Sequence, residues 1–329
     1  MNENNNTFLS VKDLKVVYTM EKSIVHAVNG VSFDLKKGET LGLVGETGAG
    51  KTTIAKTIMR ILPNPPAKIE NGTILLDGED IISMPEKDML NIRGKKAAMI
   101  FQDPMTALNP LDSVGKQIME VVTLHNPKMN NKDAAGRAAK MLELVGIPRE
   151  RFNEYPHQFS GGMKQRVVIA MALACNPELL LADEPTTALD VTIQAQVLDL
   201  IRELKEKFQT SMILITHDLG VVAETCDKVA IVYAGQIVEY GTKVDLFKHP
   251  THPYTRGLFE SLPGTGKAAG KGMLKPIEGM PPDPTNLPEG CSFSPRCPLT
   301  QKNCCVAEPN LIEVSEGHFV RCFHCKGGN

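Results

Sequence analysis

Short apolar segments alternate along the chain with longer segments in which apolar residues recur at intervals of three and four. The short segments predict strands at residues 9–18, 28–35, 40–44, 73–76, 97–101, 179–182, 212–216, 228–233 and 236–240. The clearest helix is predicted at residues 193–208, with a stripe formed by Ile193, Val197, Leu198, Ile201, Leu204 and Phe208. This alternation of strands and helices predicts an α/β fold.

The alternation is interrupted by a long helical region at about residues 112–176. Because strands of one sheet are predicted on both sides of it, we interpret this region as a helical insertion into a domain at residues 1–262. Prolines and glycines become frequent after Leu262, and cysteines follow them. Residues 263–329 are therefore predicted to form a linker and a small cysteine-rich appendix.

Composition narrows the class of protein. The 329 residues include 36 Lys and Arg against 38 Asp and Glu, with 42% hydrophobic and 22% charged residues, which is typical of a globular protein and excludes a disordered or fibrous one. The balanced charge gives no broad positive field, so nucleic acid is not expected as a partner. The polar start and the lack of a long apolar stretch favour a cytoplasmic location.

A phosphate-binding loop is predicted where residues 45–52 read GETGAGKT, directly after an apolar strand and before a helix. Glycines allow main-chain N–H groups to converge on phosphate at the N-terminus of a helix. Lys51 is expected to reach the β- and γ-phosphates of ATP, and Thr52 to bind Mg²⁺. The predicted nucleotide-binding residues of this region are Gly45, Thr47, Gly48, Ala49, Gly50, Lys51, Thr52 and Thr53.

A pair of acidic residues, Asp183 and Glu184, ends another apolar strand. Ligands bind at the carboxyl ends of strands in open α/β sheets, so Asp183 is expected to hold Mg²⁺ through water and Glu184 to polarise the attacking water. His217 follows a further apolar strand, where it either contacts the γ-phosphate or serves a structural role.

Residues 159–166, FSGGMKQR, resemble the LSGGQ signature of ABC-transporter ATPases. The other motifs of that family follow the same order: the phosphate loop, Gln102, the signature, Asp183 with Glu184, ALD at residues 188–190, and His217. Phe159 and Met163 depart from the signature, whereas Ser160 and both glycines are kept.

The resemblance implies an ABC-type nucleotide-binding domain of the P-loop NTPase class, with an antiparallel β subdomain. It also implies a head-to-tail dimer in which Ser160, Gly161 and Gly162 of one subunit contact the ATP held by the other. By the same resemblance Tyr18 stacks on adenine, although it could equally serve packing. Gln102 senses Mg²⁺ and the γ-phosphate, and His217 contacts the γ-phosphate.

Three further segments, residues 101–110, 249–258 and 290–298, are similar to the ATPase subunits of dipeptide and oligopeptide importers, of the D type in a D/F pair. The implied partners are a second ATPase subunit (an F-type chain or a second copy), two membrane permease subunits and, indirectly, an extracytoplasmic substrate-binding protein. The implied location is the cytoplasmic face of the cell membrane. Nickel importers share the pattern, and a soluble ABC ATPase outside transport is a further alternative.

Most of the eight cysteines lie in the appendix, at positions 291, 297, 304, 305, 322 and 325. Thiolates in a reducing compartment suit zinc or an iron–sulfur cluster. Peptide-importer ATPases with a 4Fe–4S cluster imply Cys291, Cys297, Cys304 and Cys322 as ligands. Zinc, or no metal or disulfides, are the alternatives. Cys305 and Cys325 depart from the usual pattern, which leaves the third and fourth ligands open.

Overall fold

The computed structural model describes residues 7–187, 189–261 and 276–325. Its strands are β1 (Thr7–Thr19), β2 (Ile24–Lys36), β3 (Thr40–Val44), β4 (Ala67–Leu76), β5 (Glu79–Asp80), β6 (Ala97–Ile100), β7 (Leu179–Asp183), β8 (Ser211–Thr216), β9 (Lys228–Tyr233), β10 (Gln236–Thr242), β11 (Ile312–Ser315) and β12 (His318–Val320). Its helices are α1 (Lys51–Ile58), α2 (Glu86–Ile92), α3 (Pro104–Ala107), α4 (Val114–His125), α5 (Asn131–Leu144), α6 (Gly161–Leu173), α7 (Val191–Phe208), α8 (Leu219–Thr225), α9 (Lys243–Lys248), α10 (Pro253–Glu260) and α11 (Lys302–Val306).

The chain divides into two compact units that are not continuous in sequence. Within the described residues, unit 1 comprises residues 7–35, 40–80, 216–261 and 276–325, and unit 2 comprises residues 36–39, 81–187 and 189–215. Of the predicted linker, residues 263–275 lie outside the described residues, as does Ala188 of the predicted ALD motif.

Unit 1 contains a small antiparallel sheet in the order β2-β1-β4-β5. Strands β1 and β4 pair along most of their length, from Leu9 opposite Leu76 to Tyr18 opposite Ala67. Strand β4 begins at Ala67, earlier than predicted. Its first half is mostly exposed or half-buried, so no apolar run in the sequence marks that part as a strand.

The remaining strands of unit 1 follow the order β11-β12-β10-β9-β3. Strand β3 is parallel to β9, and the other pairs in this row are antiparallel. All five residues of β3 are buried, so the loop that follows it starts from a fixed position in the core. The cysteine-rich segment contributes β11 and β12, which the sequence did not predict, and joins the sheet through β12 beside β10.

Unit 2 contains the parallel strands β8, β7 and β6, in that order. Strand β7 is entirely buried, and its last residue is Asp183. The helices α3 to α6 lie in sequence between β6 and β7, the region where a helical insertion is predicted. Two 3₁₀ segments, Arg149–Asn153 and Pro156–Gln158, separate α5 from α6.

Candidate functional site

The candidate residues are divided between the two units. In unit 1 the phosphate loop connects β3 to α1. Its tip, Thr47 and Gly48, is exposed, while Ala49 beyond it is buried.

Two glycines of the loop are required by close backbone neighbours. A Cβ on Gly45 would lie 2.1 Å from the carbonyl oxygen of Val232, and one on Gly50 would lie 2.3 Å from that of Ala27. Gly50 also has φ +100°, which side-chain-bearing residues rarely adopt. Neighbouring strands therefore fix the path of this loop.

Lys51 lies inside the loop and is 6% exposed. Its Nζ donates to the carbonyl oxygens of Gly45 at 2.7 Å and Glu46 at 2.9 Å. The first turn of α1 has no acidic residue and no side-chain cap. A buried ammonium beside a helix N-terminus of this kind suits an anion such as a phosphate.

Tyr18, at the end of β1, lies close to the same helix. Its hydroxyl is 3.3 Å from Oγ1 of Thr53 in the first turn of α1, and the ring is partly exposed. Tyr18 thus borders the phosphate loop within unit 1. Thr52 lies in the same first turn, and His217 occupies an exposed position just after β8.

The loop has a contact that sequence reasoning missed. The main-chain N–H of Glu46 donates to the hydroxyl of Tyr254 at 3.1 Å. Tyr254 is fully buried, and burial raises its pKa, so the hydroxyl stays protonated at neutral pH. Tyr254 lies in the segment 249–258, whose similarity to peptide-importer ATPases indicates the family and assigns no contact.

In unit 2 the structure brings together two predicted residues that are far apart in sequence. Gln102 Nε2 donates to Glu184 Oε2 at 2.8 Å, and Thr187 Oγ1 donates to the same oxygen at 2.9 Å. Glu184 has φ 45°, and its N–H bonds to the carbonyl of Ile215 at 2.9 Å. Adjacent Asp183 is 2% exposed at the end of β7. Thr187 was not predicted, and its spacing alone gives no sign of its contact.

The predicted signature forms the beginning of α6. Ser160 is its N-cap, and its side chain accepts from the N–H of Met163 at 3.4 Å. Ser160 and Gly161 are exposed, whereas Gly162 is buried. A Cβ on Gly162 would lie 2.5 Å from Cγ2 of Ile193, so α6 approaches α7 closely here. The exposed, uncharged start of this helix can accept an anion from outside the unit.

The four cysteines predicted as ligands surround one small cavity in unit 1. Cys291, Cys297, Cys304 and Cys322 line a small cavity whose wall includes His252 and His324. Cys304 is buried, whereas Cys305 is exposed. Among residues 7–187, 189–261 and 276–325, however, no group of three or more His, Cys, Asp or Glu side chains has the arrangement needed for a metal ion.

The thiols of this cavity differ in acidity. Burial raises the pKa of Cys291 and Cys297. The hydrogen bond from Cys325 lowers the pKa of Cys322 to about 6, and the same bond raises that of Cys325. The Cys322 thiol is therefore more readily ionised at neutral pH than those of Cys291, Cys297 and Cys325.

Within the described part of the chain, no helix is long and apolar enough to cross a membrane.

Comparison with known proteins matches both parts of the chain. Residues 28–187 match the family described as ABC transporter, and residues 238–304 match the family described as oligopeptide/dipeptide transporter, C-terminal region. The oligopeptide transport ATP-binding protein OppD of Bacillus subtilis is 53% identical over 95% of this chain and 87% of its own. The dipeptide transport ATP-binding protein DppD of the same organism is 51% identical over 96% and 94%.

Solved structures agree on the fold. A dimeric, post-hydrolysis structure of the ATP-binding cassette MJ0796 with ADP and Pi has a TM-score of 0.64 at 26% identity, covering 71% of this chain and 98% of that one. The predicted P-loop α/β fold of the ABC type is thereby confirmed.

Proposed function

Since the chain belongs to the ATP-binding proteins of oligopeptide and dipeptide ABC transporters, we propose that it hydrolyses ATP to power peptide uptake through separate membrane subunits. ATP hydrolysis coupled to transport is the activity of this family. The single observation that carries the proposal for this chain is the phosphate loop, with buried Lys51 held between two loop carbonyls.

ATP binding is assigned to unit 1. Lys51 and the loop N–H groups of Gly45, Thr47, Gly48, Ala49 and Gly50 hold the phosphates, with Thr52 and Thr53 in the first helical turn. Tyr18 stacks on the adenine, a role supported by its position beside α1.

Mg²⁺ fits the oxygen ligands of the proposed set, which comprises Thr52, Gln102 and Asp183. Bound there, the ion would neutralise charge that develops on the β- and γ-phosphates. The hydroxyl of Thr52 and the buried carboxylate of Asp183 would hold the ion, and Gln102 would sense it together with the γ-phosphate.

Glu184 is the general base, accepting a proton from the water that attacks the γ-phosphate. Its hydrogen bonds from Gln102 and Thr187 orient the carboxylate and support this role. His217 contacts the γ-phosphate and holds it during the reaction.

The complete site requires a second ATPase subunit. Ser160, Gly161 and Gly162 of one subunit face the phosphates bound by the other, and the exposed start of α6 supports this arrangement. The partner is an F-type chain or a second copy of this chain. In the domain division proposed here, residues 1–262 carry nucleotide chemistry, with a helical subdomain at about 112–176, and residues 263–329 form the linker and appendix.

The proposed substrate and location of this chain are inferred from its similarity to peptide-transport ATP-binding proteins. Peptides are the proposed cargo, and nickel is the alternative within the same branch. The chain would act at the cytoplasmic face of the membrane, bound to two permease subunits that receive peptide from an extracytoplasmic binding protein.

A 4Fe–4S cluster held by Cys291, Cys297, Cys304 and Cys322 is proposed for the appendix. The support is the cavity that these thiols share, together with the burial of Cys304 against the exposure of Cys305. A cubane cluster takes four thiolate ligands, and its role in the appendix would be structural. Zinc is the alternative cofactor.

Anaerobic purification followed by iron, zinc and acid-labile sulfide analysis tests the cofactor. We expect a brown protein with about four iron and four sulfide per chain. A colourless protein with stoichiometric zinc would replace the cluster assignment, and a metal-free protein would remove it. Neither result affects the assignment of ATP hydrolysis.

The test of the function uses the transporter assembled with its partner subunits. Lys51→Ala should weaken MgATP binding, and Glu184→Gln should keep binding but largely abolish turnover. Glu178→Gln is the matched control, because the carboxylate of Glu178 pairs with Lys37 at 2.9 Å at the surface. Full turnover in Glu184→Gln would refute the assignment of the base.

A further inference from the structure

An ion pair joins the cysteine-rich appendix to the phosphate loop, with the arginine buried and the glutamate partly exposed. Arg296, directly before Cys297, directs its guanidinium to the carboxylate of Glu46, the second residue of the loop. Nη1 donates to Oε2 at 2.8 Å and Nη2 to Oε1 at 3.1 Å. This bidentate geometry fixes the carboxylate in both position and orientation.

The arginine itself is held rigidly. Its side chain is only 5% exposed, and its remaining hydrogen bonds go to the carbonyls of Glu278 at 3.1 Å and Ile277 at 3.4 Å and to the hydroxyl of Tyr233 at 3.3 Å. A guanidinium so fully satisfied and enclosed has little freedom to follow a moving loop. It is therefore suited to determine where Glu46 lies.

Glu46 links this ion pair to the phosphate-binding lysine. Its N–H donates to Tyr254, and its carbonyl accepts from Nζ of Lys51 at 2.9 Å. Displacement of Glu46 would therefore move an oxygen that holds the ammonium in place. Glu46 therefore connects Arg296 of the appendix to the ammonium of Lys51, which is proposed to bind the phosphates.

An aromatic cluster supports the same contact. The ring of Phe293, three residues before Arg296, lies 5.2 Å from that of Tyr233 and 5.4 Å from that of Tyr254. Through Phe293, this segment packs against Tyr233, which accepts a hydrogen bond from Arg296. It also packs against Tyr254, which accepts one from Glu46.

We propose that Arg296 is a positioning residue for ATP binding, which holds the phosphate loop in its receptive conformation through the ion pair with Glu46. This inference rests on the proposed function, since it concerns the nucleotide bound by the same loop. It gives the appendix a part in ATP binding that is independent of any metal.

The test measures MgATP dissociation constants for Glu46→Gln, Arg296→Met and the double variant. Each single variant should weaken binding on the order of tenfold, because a bidentate charged contact is lost. The double variant should bind no more weakly than the singles, since the two residues act as a unit. Arg296→Lys, which keeps the charge without the fork, should recover part of the affinity.

Glu308→Gln is the matched control. Glu308 pairs with Arg321 of the appendix at 2.9 Å and accepts from Gln236. This variant removes an arginine–carboxylate ion pair of the appendix that does not contact the phosphate loop. The MgATP affinity of Glu308→Gln should therefore equal that of the wild type.

Unchanged affinity in folded Glu46→Gln and Arg296→Met would overturn the proposal, as would strictly additive losses in the double variant. A purely structural ion pair would lower the melting temperature without changing the affinity. Lys51→Ala distinguishes a failure of the role of Arg296 from a failure of the proposed nucleotide site. If it alone weakens binding, only the role of Arg296 fails, and if it too binds normally, the nucleotide site itself is misassigned.

Discussion

Replacing Gly50 with alanine should damage the phosphate loop for two reasons that can be measured separately. The first is backbone conformation, since φ is +100° at this position and a left-handed conformation costs a residue with a Cβ about 1–2 kcal/mol. The second is space, since the new Cβ would lie 2.3 Å from the carbonyl oxygen of Ala27. Overpacking of this kind costs about 1–3 kcal/mol. The expected loss of unfolding free energy is therefore about 2–5 kcal/mol.

Gly78 provides the matched control in the turn between β4 and β5. Its φ is +80°, and nothing lies within 4 Å of an added Cβ. Gly78→Ala should therefore incur only the conformational cost of about 1–2 kcal/mol and leave MgATP binding unchanged. Gly50→Ala should in addition weaken MgATP binding by about tenfold or more, since a displaced loop misaligns its N–H groups.

Urea unfolding followed by far-UV circular dichroism measures the stability, because the chain has no tryptophan to report by fluorescence. Calorimetric titration with MgATP measures the affinity. If Gly50→Ala matched Gly78→Ala in both urea midpoint and affinity, the close approach of Ala27 would not constrain the loop, and the reasoning would be wrong.

Three further results are expected. Glu184→Gln should lower the turnover rate by about 10²–10⁴-fold with MgATP affinity retained, as steady-state phosphate release and equilibrium binding would show; a change confined to affinity would contradict this. Gly162→Ala should lower turnover of the assembled transporter, because its Cβ would lie 2.5 Å from Ile193, while Gly136→Ala, with nothing within 4 Å, serves as the neutral control. Cys297→Ser should reduce iron content and thermal stability, and unchanged folding, iron and ATPase together would remove the structural role of the cluster.

Much of the fold could be predicted because buried strands leave a clear pattern. Residues 179–182 read LLLA and are fully buried in β7, and the loop after β3 was recognisable from its spacing alone. The helix predicted at 193–208 is confirmed as α7, although Leu200 is buried while Ile193, Leu198 and Phe208 of the predicted stripe are half-buried. Helical periodicity located the helix but was too coarse to fix the orientation of every residue.

The elements that escaped prediction depend on partners distant in sequence. Strand β5 has two polar residues, and β11 has only four residues, alternately half-buried and exposed, so neither contains a buried apolar run. Strand β12 has three residues and is defined by its pairing with β10, from Glu239 opposite Val320. Such pairing is a tertiary effect that no local pattern encodes.

The same distinction applies to the site. Lys51 and Glu184 lie in motifs with recognisable spacing, so they could be assigned from the sequence. The contacts of Glu46 with Tyr254 and Arg296 join residues more than 200 positions apart, and nothing in their spacing predicts them. Their chemistry became visible only when the chain was folded.

The most direct test of the central claim is uptake of a labelled oligopeptide by cells whose own copy of this chain is replaced by the wild type or by Glu184→Gln. We expect uptake with the wild type, loss of uptake with Glu184→Gln, and no effect of either chain on nickel accumulation. Normal peptide uptake with Glu184→Gln, or dependence of nickel and not peptide on the wild-type chain, would contradict the account.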